Sequence, residues 1–279
     1  MQVQAPAKIN LSFRIKGRRE DGFHEIETLM APVTLTDRLT IVRDTSGGGI
    51  DFSCDDPSLP PGGDNLVVKA ASLFRETANV SDGVKIALEK RIPHGAGLGG
   101  GSSDAASTLL GLNELFETRL ASKTLLELAA KTGSDVPFFI ARSSAVCRGR
   151  GELVEPLKLS PGFRLLLLKP EFGVPTPWAY GKWKESRELP GIHYGEQEFG
   201  GRRFVNDLER PVFEKYLVLG HLKMWLREQP EVGVALLSGS GSTVFAVLRD
   251  EADGEALAAR VREKIDSQIW THVCETQAA

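Results

Sequence analysis

A run of glycines and serines in the first half of the chain has the composition of a phosphate-binding loop. The segment from Pro93 to Ala106 reads PHGAGLGGGSSDAA, between a predicted strand and a predicted helix. Glycine lets backbone N–H groups approach a ligand closely, and serine hydroxyls and a helix N-terminus add donors and partial positive charge. The alternative is a flexible linker or a glycine cap, but linkers seldom join a clear strand to a clear helix. The candidate phosphate-binding residues are Pro93, Gly95, Gly97, Leu98, Gly99, Gly100, Gly101, Ser102 and Ser103.

Two common nucleotide motifs do not fit this segment. Gly95, Gly97 and Gly100 satisfy the G-x-G-x-x-G spacing of a dinucleotide site. That site also needs an acidic residue at the end of a second strand about 20 positions on, and the acidic residues found there fall on or just beyond a helix. A P-loop would end in Gly-Lys-Ser or Gly-Lys-Thr, and this segment has no lysine. A cation beside a transferred phosphate must therefore come from elsewhere, and Lys8 is the candidate.

Strand patterns dominate the beginning of the chain. From Lys8 to Arg14 polar and apolar residues alternate strictly, which is the period of a half-buried strand, and Lys8 and Asn10 share its polar face. A turn at 17–22 follows. Further strands are predicted at 23–30, 39–43, 50–53 and 84–88.

Apolar residues at helical spacing predict three helices in the first half of the chain. Their predicted starts are an Asp64 or Asn65 cap, Ser102 or Ser103, and a Ser122 cap, and the third helix ends at Gly133. Asp135 follows two residues later.

A turn-rich stretch near 156–161 interrupts the succession of predicted strands and helices, so we predict two domains, 1–157 and 158–279. The second domain has predicted strands at 163–169, 234–238, 243–248 and 269–273. Asn206 and Glu209 are spaced as a capping box before a helix that continues to Leu226, and the last helix reaches Ile265.

Composition excludes several functional classes. The 279 residues are 41% hydrophobic and 25% charged, as in folded globular proteins. A net charge of -3 gives no global basic field, so we expect no nucleic-acid partner, although a few local groups can still hold a small anion. Three widely spaced cysteines argue against a disulfide framework or a zinc site and favour a cytoplasmic location. The N-terminus lacks the pattern of a secretion signal, and no apolar run approaches the ~18 residues of a membrane span, so we expect no membrane partner.

The glycine segment resembles the P-x-x-x-G-L-G-S/G-S-S motif of the GHMP kinases. Three more segments are similar to one branch of this family, which acts on a cytidine diphosphate sugar alcohol: APAKINLSFRIKGRREDGFHEIETLM at 5–30, GSDVPFF at 133–139 and LSGSGSTVFAV at 237–247. The DGFHE stretch separates this branch from relatives that act on sugars or homoserine. Phe23 departs from the pattern, where tyrosine is common, and so keeps an aromatic face but lacks a hydroxyl.

The resemblance implies an α+β fold of two-domain GHMP kinase-like architecture, with the active site in the interdomain cleft. It implies ATP and Mg²⁺ as cofactors and phosphorylation of the 2-hydroxyl of cytidine diphosphate methylerythritol. It assigns Asp135 as the carboxylate that takes or orients the hydroxyl proton, and Lys8 as its cationic partner near the γ-phosphate. These parts suffice for a loose phosphoryl-transfer transition state, in which the protein mainly positions reactants and neutralises charge. From the residues alone, Asp135 could equally be a helix N-cap and Lys8 a solvated strand residue.

The resemblance also implies binding residues at each end of the cleft. They are Asn65 and Lys69 near the adenosine, Phe23, His24 and Tyr180 at the cytosine, and Asn10, Thr176, Gly239 and Ser240 around the acceptor. Simpler alternatives exist for several of them. Asn65 could cap a helix, Lys69 could be solvated, and His24 could be structural. Tyr180 could be a core aromatic residue, and residues 238–242 could form a hairpin turn.

Three rival functions stay open at this stage: another GHMP kinase with a different small alcohol, a nucleotide sensor without catalysis, and an RNA-binding module. The presence of both Lys8 and Asp135 argues against a sensor, and the net charge of -3 argues against RNA. No acidic cluster has recognisable metal-ligand spacing, so we assign no protein ligand to Mg²⁺. The kinase hypothesis requires Lys8 to lie within a few ångströms of Asp135, opposite the glycine segment.

Overall fold

Two β-sheets organise the chain in the computed structural model, which describes residues 1–277. The strands are β1 (Gln2–Arg18), β2 (His24–Asp44), β3 (Ile50–Cys54), β4 (Gly83–Glu89), β5 (Ala145–Gly149), β6 (Leu153–Pro156), β7 (Arg164–Lys169), β8 (Gln197–Phe199), β9 (Arg202–Asn206), β10 (Val232–Leu237), β11 (Val244–Leu248) and β12 (Trp270–Glu275). The helices are α1 (Leu66–Ala78), α2 (Gly100–Leu115), α3 (Ser122–Thr132), α4 (Val136–Ile140), α5 (Thr176–Lys182), α6 (Glu209–Lys215), α7 (Leu217–Arg227) and α8 (Gly254–Lys264).

The first sheet has the strand order β3-β4-β2-β1-β9-β8, and β5 pairs with β2 and β6. The two strands predicted at 23–30 and 39–43 are in fact one, because β2 continues through both and pairs along β1. The β1–β2 register shifts on either side of the segment from Lys8 to Asn10. Such irregularities re-aim side chains, and they lie where the predicted site needs them.

Two of the predicted helix starts differ from those in the structure. Asn65 does cap α1, because its side chain accepts a hydrogen bond from the backbone N–H of Val67. The prediction that α2 opens at Ser102 or Ser103 is wrong: the carbonyl of Gly99 already accepts the Ser103 N–H, so the serines lie inside the first turn. The Ser122 cap is also wrong, since Ala121 occupies the N-cap position of α3 and no side chain caps that helix.

The capping box predicted at Asn206 and Glu209 is absent. Glu209 is the first residue of α6, Leu208 holds the N-cap position, and the helix has no side-chain cap. The predicted long helix is also two helices, since Tyr216 between α6 and α7 has the non-helical backbone angles φ -113° and ψ 67°.

The two halves of the chain share one apolar layer. The second sheet, ordered β10-β11-β7-β12, packs Leu167 and Phe245 in the same buried cluster as Ile9 and Leu11 of β1. Strand β9 also pairs in parallel with β1, so the first sheet includes residues beyond position 158. Helices α1 to α4 cover the other face of the first sheet, and α6 to α8 pack on the second. The α+β fold class is confirmed, and the boundary at 157/158 stays a prediction. Within residues 1–277 no helix has the length and apolar character to cross a membrane.

Candidate active site

A cavity of about 410 Å³ is lined by residues from both halves of the chain. Strand β1, the glycine loop (Pro93–Gly101), α4, α5 and the serine–glycine loop (Ser238–Ser242) all contribute to its lining or border it. The predicted site residues that line it are Lys8, Asn10, Asn65, Pro93, Gly95, Gly97, Leu98, Gly99, Gly100, Gly101, Ser102, Asp135, Thr176, Tyr180, Gly239 and Ser240.

Lys8 is buried in this cavity, with a relative exposure of 3%. Its Nζ donates hydrogen bonds to Asn10 Oδ1 at 2.7 Å and to the carbonyl of Gly97 at 2.8 Å, and it lies 3.9 Å from Asp135 Oδ2. Burial lowers the pKa of the Lys8 ammonium, and the negative charge of Asp135 opposes that shift. The expected proximity of Lys8 and Asp135 is confirmed, and the alternative of a solvated lysine is wrong.

Asp135 stands at the start of α4, but it does not cap that helix. It has α-helical backbone angles and its side chain makes no capping hydrogen bond. The carboxylate is 39% exposed, on the cavity side. Beneath it lies the buried Cys147, and burial raises the pKa of that thiol to about 12, so the thiol stays uncharged. The Asp135 carboxylate is therefore free to meet a ligand beside the Lys8 ammonium.

The glycine loop needs glycine because the chain around it approaches closely. Gly95, Gly97 and Gly99 have φ of 63°, 74° and 71°, in the left-handed region that other residues rarely adopt. A Cβ on Gly97 would collide with the carbonyl oxygen of Ser238, and one on Gly99 would lie 3.0 Å from Lys8 Cγ. Helix α2 begins directly behind this loop, so its free N–H groups and partial positive charge lie at the cavity wall.

The serine–glycine loop joins β10 to β11 and also contacts the glycine loop. Ser238 Oγ donates to the carbonyl of Gly97 at 3.0 Å, and the Thr243 N–H donates to the carbonyl of Ala96 at 3.2 Å. Ser240 Oγ lies 2.7 Å from Thr176 Oγ1, which brings two predicted acceptor residues together. The hairpin-turn alternative is thus correct for the backbone, and the same turn also forms a cavity wall.

Aromatic rings cluster at one end of the cavity. The ring of His24 lies 5.2 Å from that of Tyr180 and 6.2 Å from that of Trp183, measured between centroids. Burial, then the charges of Arg18 and Lys184, lower the pKa of His24, so its imidazole is neutral at neutral pH.

Four of the predicted site residues do not line the cavity. His24 contacts Tyr180, which does line the cavity. The Phe23 side chain is 50% exposed. Lys69 is exposed and its Nζ donates to the Thr132 carbonyl at 3.1 Å. Ser103 is fully buried behind the loop, and its Oγ has no hydrogen-bond partner.

Sequence reasoning missed several charged positions at or beside the site, among them Lys90 and Arg150. Lys90 lines the cavity and bridges the buried carboxylates of Asp37 and Asp104, and its Nζ lies 2.8 Å from Asp104 Oδ2. Arg150 lies over the Phe23 ring, with Cζ 4.8 Å from the centroid. No local spacing marks Arg150, because a turn distant in sequence brings it over Phe23. The placement of Lys90, three residues before the glycine loop, is the one signal that could have indicated it.

Among residues 1–277, no group of three or more histidine, cysteine, aspartate or glutamate side chains could hold a metal ion. A divalent cation at this site would therefore take most of its ligands from a bound phosphate chain and from water, as Mg²⁺ commonly does in kinases.

Comparisons with known proteins agree with this geometry. Residues 65–143 match the family GHMP kinases N terminal domain, and residues 197–267 match GHMP kinases C terminal. A 4-diphosphocytidyl-2-C-methyl-D-erythritol kinase of Methylacidiphilum infernorum (isolate V4) is 46% identical over 249 residues, covering 88% of this chain and 86% of that protein. One of Pelotomaculum thermopropionicum (strain DSM 13744 / JCM 10971 / SI) is 40% identical over 274 residues, covering 95% and 94%. A crystal structure of 4-(cytidine 5'-diphospho)-2C-methyl-D-erythritol kinase, 36% identical, covers 100% of both chains with a TM-score of 0.81.

Proposed function

Because this chain belongs to the GHMP kinases, in the branch of the 4-diphosphocytidyl-2-C-methyl-D-erythritol kinases, we propose that it phosphorylates that substrate. ATP supplies the γ-phosphate, the 2-hydroxyl of the methylerythritol accepts it, and ADP leaves. The product is an intermediate of the non-mevalonate isoprenoid pathway. The observation that carries the proposal is the Lys8 ammonium 3.9 Å from the Asp135 carboxylate, in a cavity that also contains the glycine loop.

Asp135 would accept the proton of the 2-hydroxyl while the hydroxyl oxygen bonds to the γ-phosphorus and the bond from phosphorus to ADP breaks. A carboxylate is a weak base toward an alcohol, so this proton moves late and the placement of Asp135 matters as much as its basicity. The Lys8 ammonium lies 3.9 Å from the carboxylate, where it would offset the charge of the transferred phosphoryl group.

The chain's own groups fit a nucleoside triphosphate and Mg²⁺. The backbone of the glycine loop and the start of α2 would hold the phosphates. Two buried side-chain oxygens at the start of that helix have no hydrogen-bond partner: Oδ1 of Asp104, a residue that lines the cavity, and Oγ of Ser103 behind the loop. These are the protein oxygens that would be available to the cation. When bound, Mg²⁺ would neutralise phosphate charge and leave Lys8 and Asp135 to position the reacting groups.

The acceptor would lie with its cytosine toward the aromatic cluster of His24, Tyr180 and Trp183, which offers stacking faces and a neutral imidazole. Its sugar alcohol would lie near Thr176 and Ser240, whose hydroxyls already share a hydrogen bond. Phe23 lacks a hydroxyl, so its contribution would be stacking beside Arg150.

The proposal also places the enzyme in the cytoplasm, without nucleic acid as a partner. Its three cysteines are free in the structure, which suits a reducing compartment, and the net charge of -3 does not favour a phosphate backbone.

A comparison of acceptors tests the proposed function. ADP release is measured with ATP and, in parallel, 4-diphosphocytidyl-2-C-methyl-D-erythritol, homoserine and mevalonate. We expect turnover with the cytidine substrate and background rates with the other two. Turnover confined to homoserine or mevalonate would overturn the assignment in favour of another GHMP kinase.

A further inference from the structure

The segment Asn206-Asp207-Leu208-Glu209, which we call the junction segment, takes no part in the chemistry above. It connects β9 to α6 and is almost completely buried at both ends, with exposures of 2% at Asn206 and 0% at Glu209. Its polar side chains do not form the capping box that their spacing suggests. Most of their partners lie about 30 residues or more away in the chain, so their role is mainly tertiary.

The side-chain amide of Asn206 holds the start of the serine–glycine loop. Its Nδ2 donates to the carbonyl of Leu237 at 2.8 Å and to the carbonyl of Gly239 at 2.8 Å. Its Oδ1 accepts the N–H of Leu208 at 2.9 Å, which fixes the orientation of the amide. The nitrogen and the oxygen of the amide are thus both engaged, and the two bonds that the nitrogen donates end on the last residue of β10 and on the serine–glycine loop.

Gly239 lies directly against the Lys8 head group. A Cβ built on Gly239 would lie 3.2 Å from Lys8 Nζ and 3.3 Å from Asn10 Oδ1. Gly239, whose carbonyl accepts a hydrogen bond from Asn206, is therefore also the residue that packs against the Lys8 ammonium. A displacement of Gly239 would change where Lys8 and the neighbouring Ser240 stand relative to Asp135.

Glu209 holds the same stretch from its other side. Its Oε1 accepts the N–H of Leu237 at 3.0 Å, and its Oε2 accepts a hydrogen bond from Lys223 at 2.5 Å, in a pair with 0% exposure of both side chains. The backbone of Leu237 is thus held through its N–H by Glu209 and through its carbonyl by Asn206. These bonds supply partners to two backbone groups of a buried residue on the edge strand β10, directly before the loop that borders the active site.

We propose that Asn206 is a positioning residue for phosphoryl transfer, acting through Gly239 on Lys8. The inference rests on the proposed function, because it concerns the rate of that reaction. A carboxylate of the same size could keep the bond from the Leu208 N–H but could not donate to the two carbonyls. It would repel them instead, and the loop would move.

The test compares changes of amide to carboxylate at two residues, one on β8 and one on β9, whose side chains both donate to backbone carbonyls of β10. Asn206→Asp removes the donors to Leu237 and Gly239. Gln197→Glu is the matched control: Gln197 Nε2 donates to the carbonyl of Ala235 at 2.9 Å, also on β10, but does not touch the serine–glycine loop. Both variants lose buried hydrogen bonds to backbone, so both should lose thermal stability. Kinetics with ATP and the cytidine substrate are measured well below the melting temperature of each variant.

We expect kcat to fall about thirtyfold in Asn206→Asp, with the KM for ATP changed less than about threefold, and kcat in Gln197→Glu to stay within about twofold of the wild type. Asn206→Ser and Gln197→Ser replace these variants if either fails to fold, with the same expectation. Equal kcat losses in the two positions, or an unchanged kcat at position 206, would overturn the positioning role. If the wild-type protein itself does not turn over the cytidine substrate, the proposed function fails, and this inference fails with it.

Discussion

The Lys8 side chain can remain charged although it is buried, because oxygen atoms surround its ammonium group. Asn10 Oδ1 and the Gly97 carbonyl accept its protons, and the Asp135 carboxylate supplies a countercharge 3.9 Å away. Burying a cation without such partners would cost several kcal/mol. The alternation along β1 predicted that Lys8 and Asn10 share a face. That this face is buried could not be predicted locally, because the covering residues come from positions 97, 135 and 239.

Removal of the Asp135 charge tests the role of that carboxylate. We expect Asp135→Asn to lower kcat by about 10³-fold, because the amide can neither accept the hydroxyl proton nor pair with Lys8. ATP binding, measured by calorimetry, should persist, since the glycine loop is untouched. Asp51→Asn, on the exposed face of β3, is the matched control and should keep wild-type turnover. A rate in Asp135→Asn equal to that of the control would refute the catalytic role.

The buried Lys8 ammonium predicts an alkaline loss of activity. Burial lowers the pKa of Lys8 from its ordinary 10.5, with Asp135 and then Cys147 opposing the shift. The charged form is the active one, so it is lost as pH rises through this lowered pKa. We expect kcat/KM to decline with a midpoint below pH 10.5, while circular dichroism at each pH shows the fold intact. Constant kcat/KM up to pH 10.5 in folded protein would contradict this account of Lys8.

At the scale of elements, two glycines of the same segment should respond in opposite ways to alanine. In Gly97→Ala the new Cβ would collide with the Ser238 carbonyl oxygen, and alanine would have to adopt a φ of 74°. We therefore expect the free energy of unfolding to fall by about 2 kcal/mol. Gly101 lies in the first turn of α2, where an added Cβ meets only Leu66 Cδ1 at 3.7 Å. There alanine should raise the free energy of unfolding by about 0.5–1 kcal/mol. Urea unfolding measures both, and an equal loss in the two variants would contradict the close-approach argument.

Periodicity predicted those elements whose own residues decide them. The strand at β1 and the Asn65 cap of α1 are of this kind, and both are confirmed, although β1 is buried on both faces at Lys8 and Asn10 and not half-buried there. Prediction failed where distant contacts overrode local signals. Asn206 and Glu209 have capping-box spacing, but Leu237 and Gly239 offer their backbone groups as partners instead. Strands β8 and β9 are short, and the pairing of β9 with β1 carries no local signal.

At the scale of the whole molecule, the shared layer between the sheets should make the chain unfold as one unit. Ile9 and Leu11 belong to the same buried cluster as Leu167 and Phe245. All 4 tryptophans lie between positions 178 and 270, so their fluorescence reports on the second half, whereas far-UV circular dichroism reports on all elements. We expect the two thermal transitions to coincide. Separate midpoints would show that the halves unfold independently.

The architecture and the pairing of Lys8 with Asp135 could be predicted because the motif segments at 5–30, 93–106, 133–139 and 237–247 resemble those of a known family. Lys90 at the cavity and Arg150 over the Phe23 ring were not predicted, because their partners Asp37 and Phe23 are distant in sequence and are brought to them by the fold. The network of the junction segment was also invisible in the sequence, since hydrogen bonds across about 30 residues leave no periodic signal.

A crystal structure with a nonhydrolysable ATP analogue and the cytidine substrate bound together tests the central claim most directly. The account predicts the 2-hydroxyl within hydrogen-bond distance of the Asp135 carboxylate, and the γ-phosphate between the Lys8 ammonium and the glycine loop. A ternary complex with either reacting group bound away from Lys8 and Asp135 would contradict it.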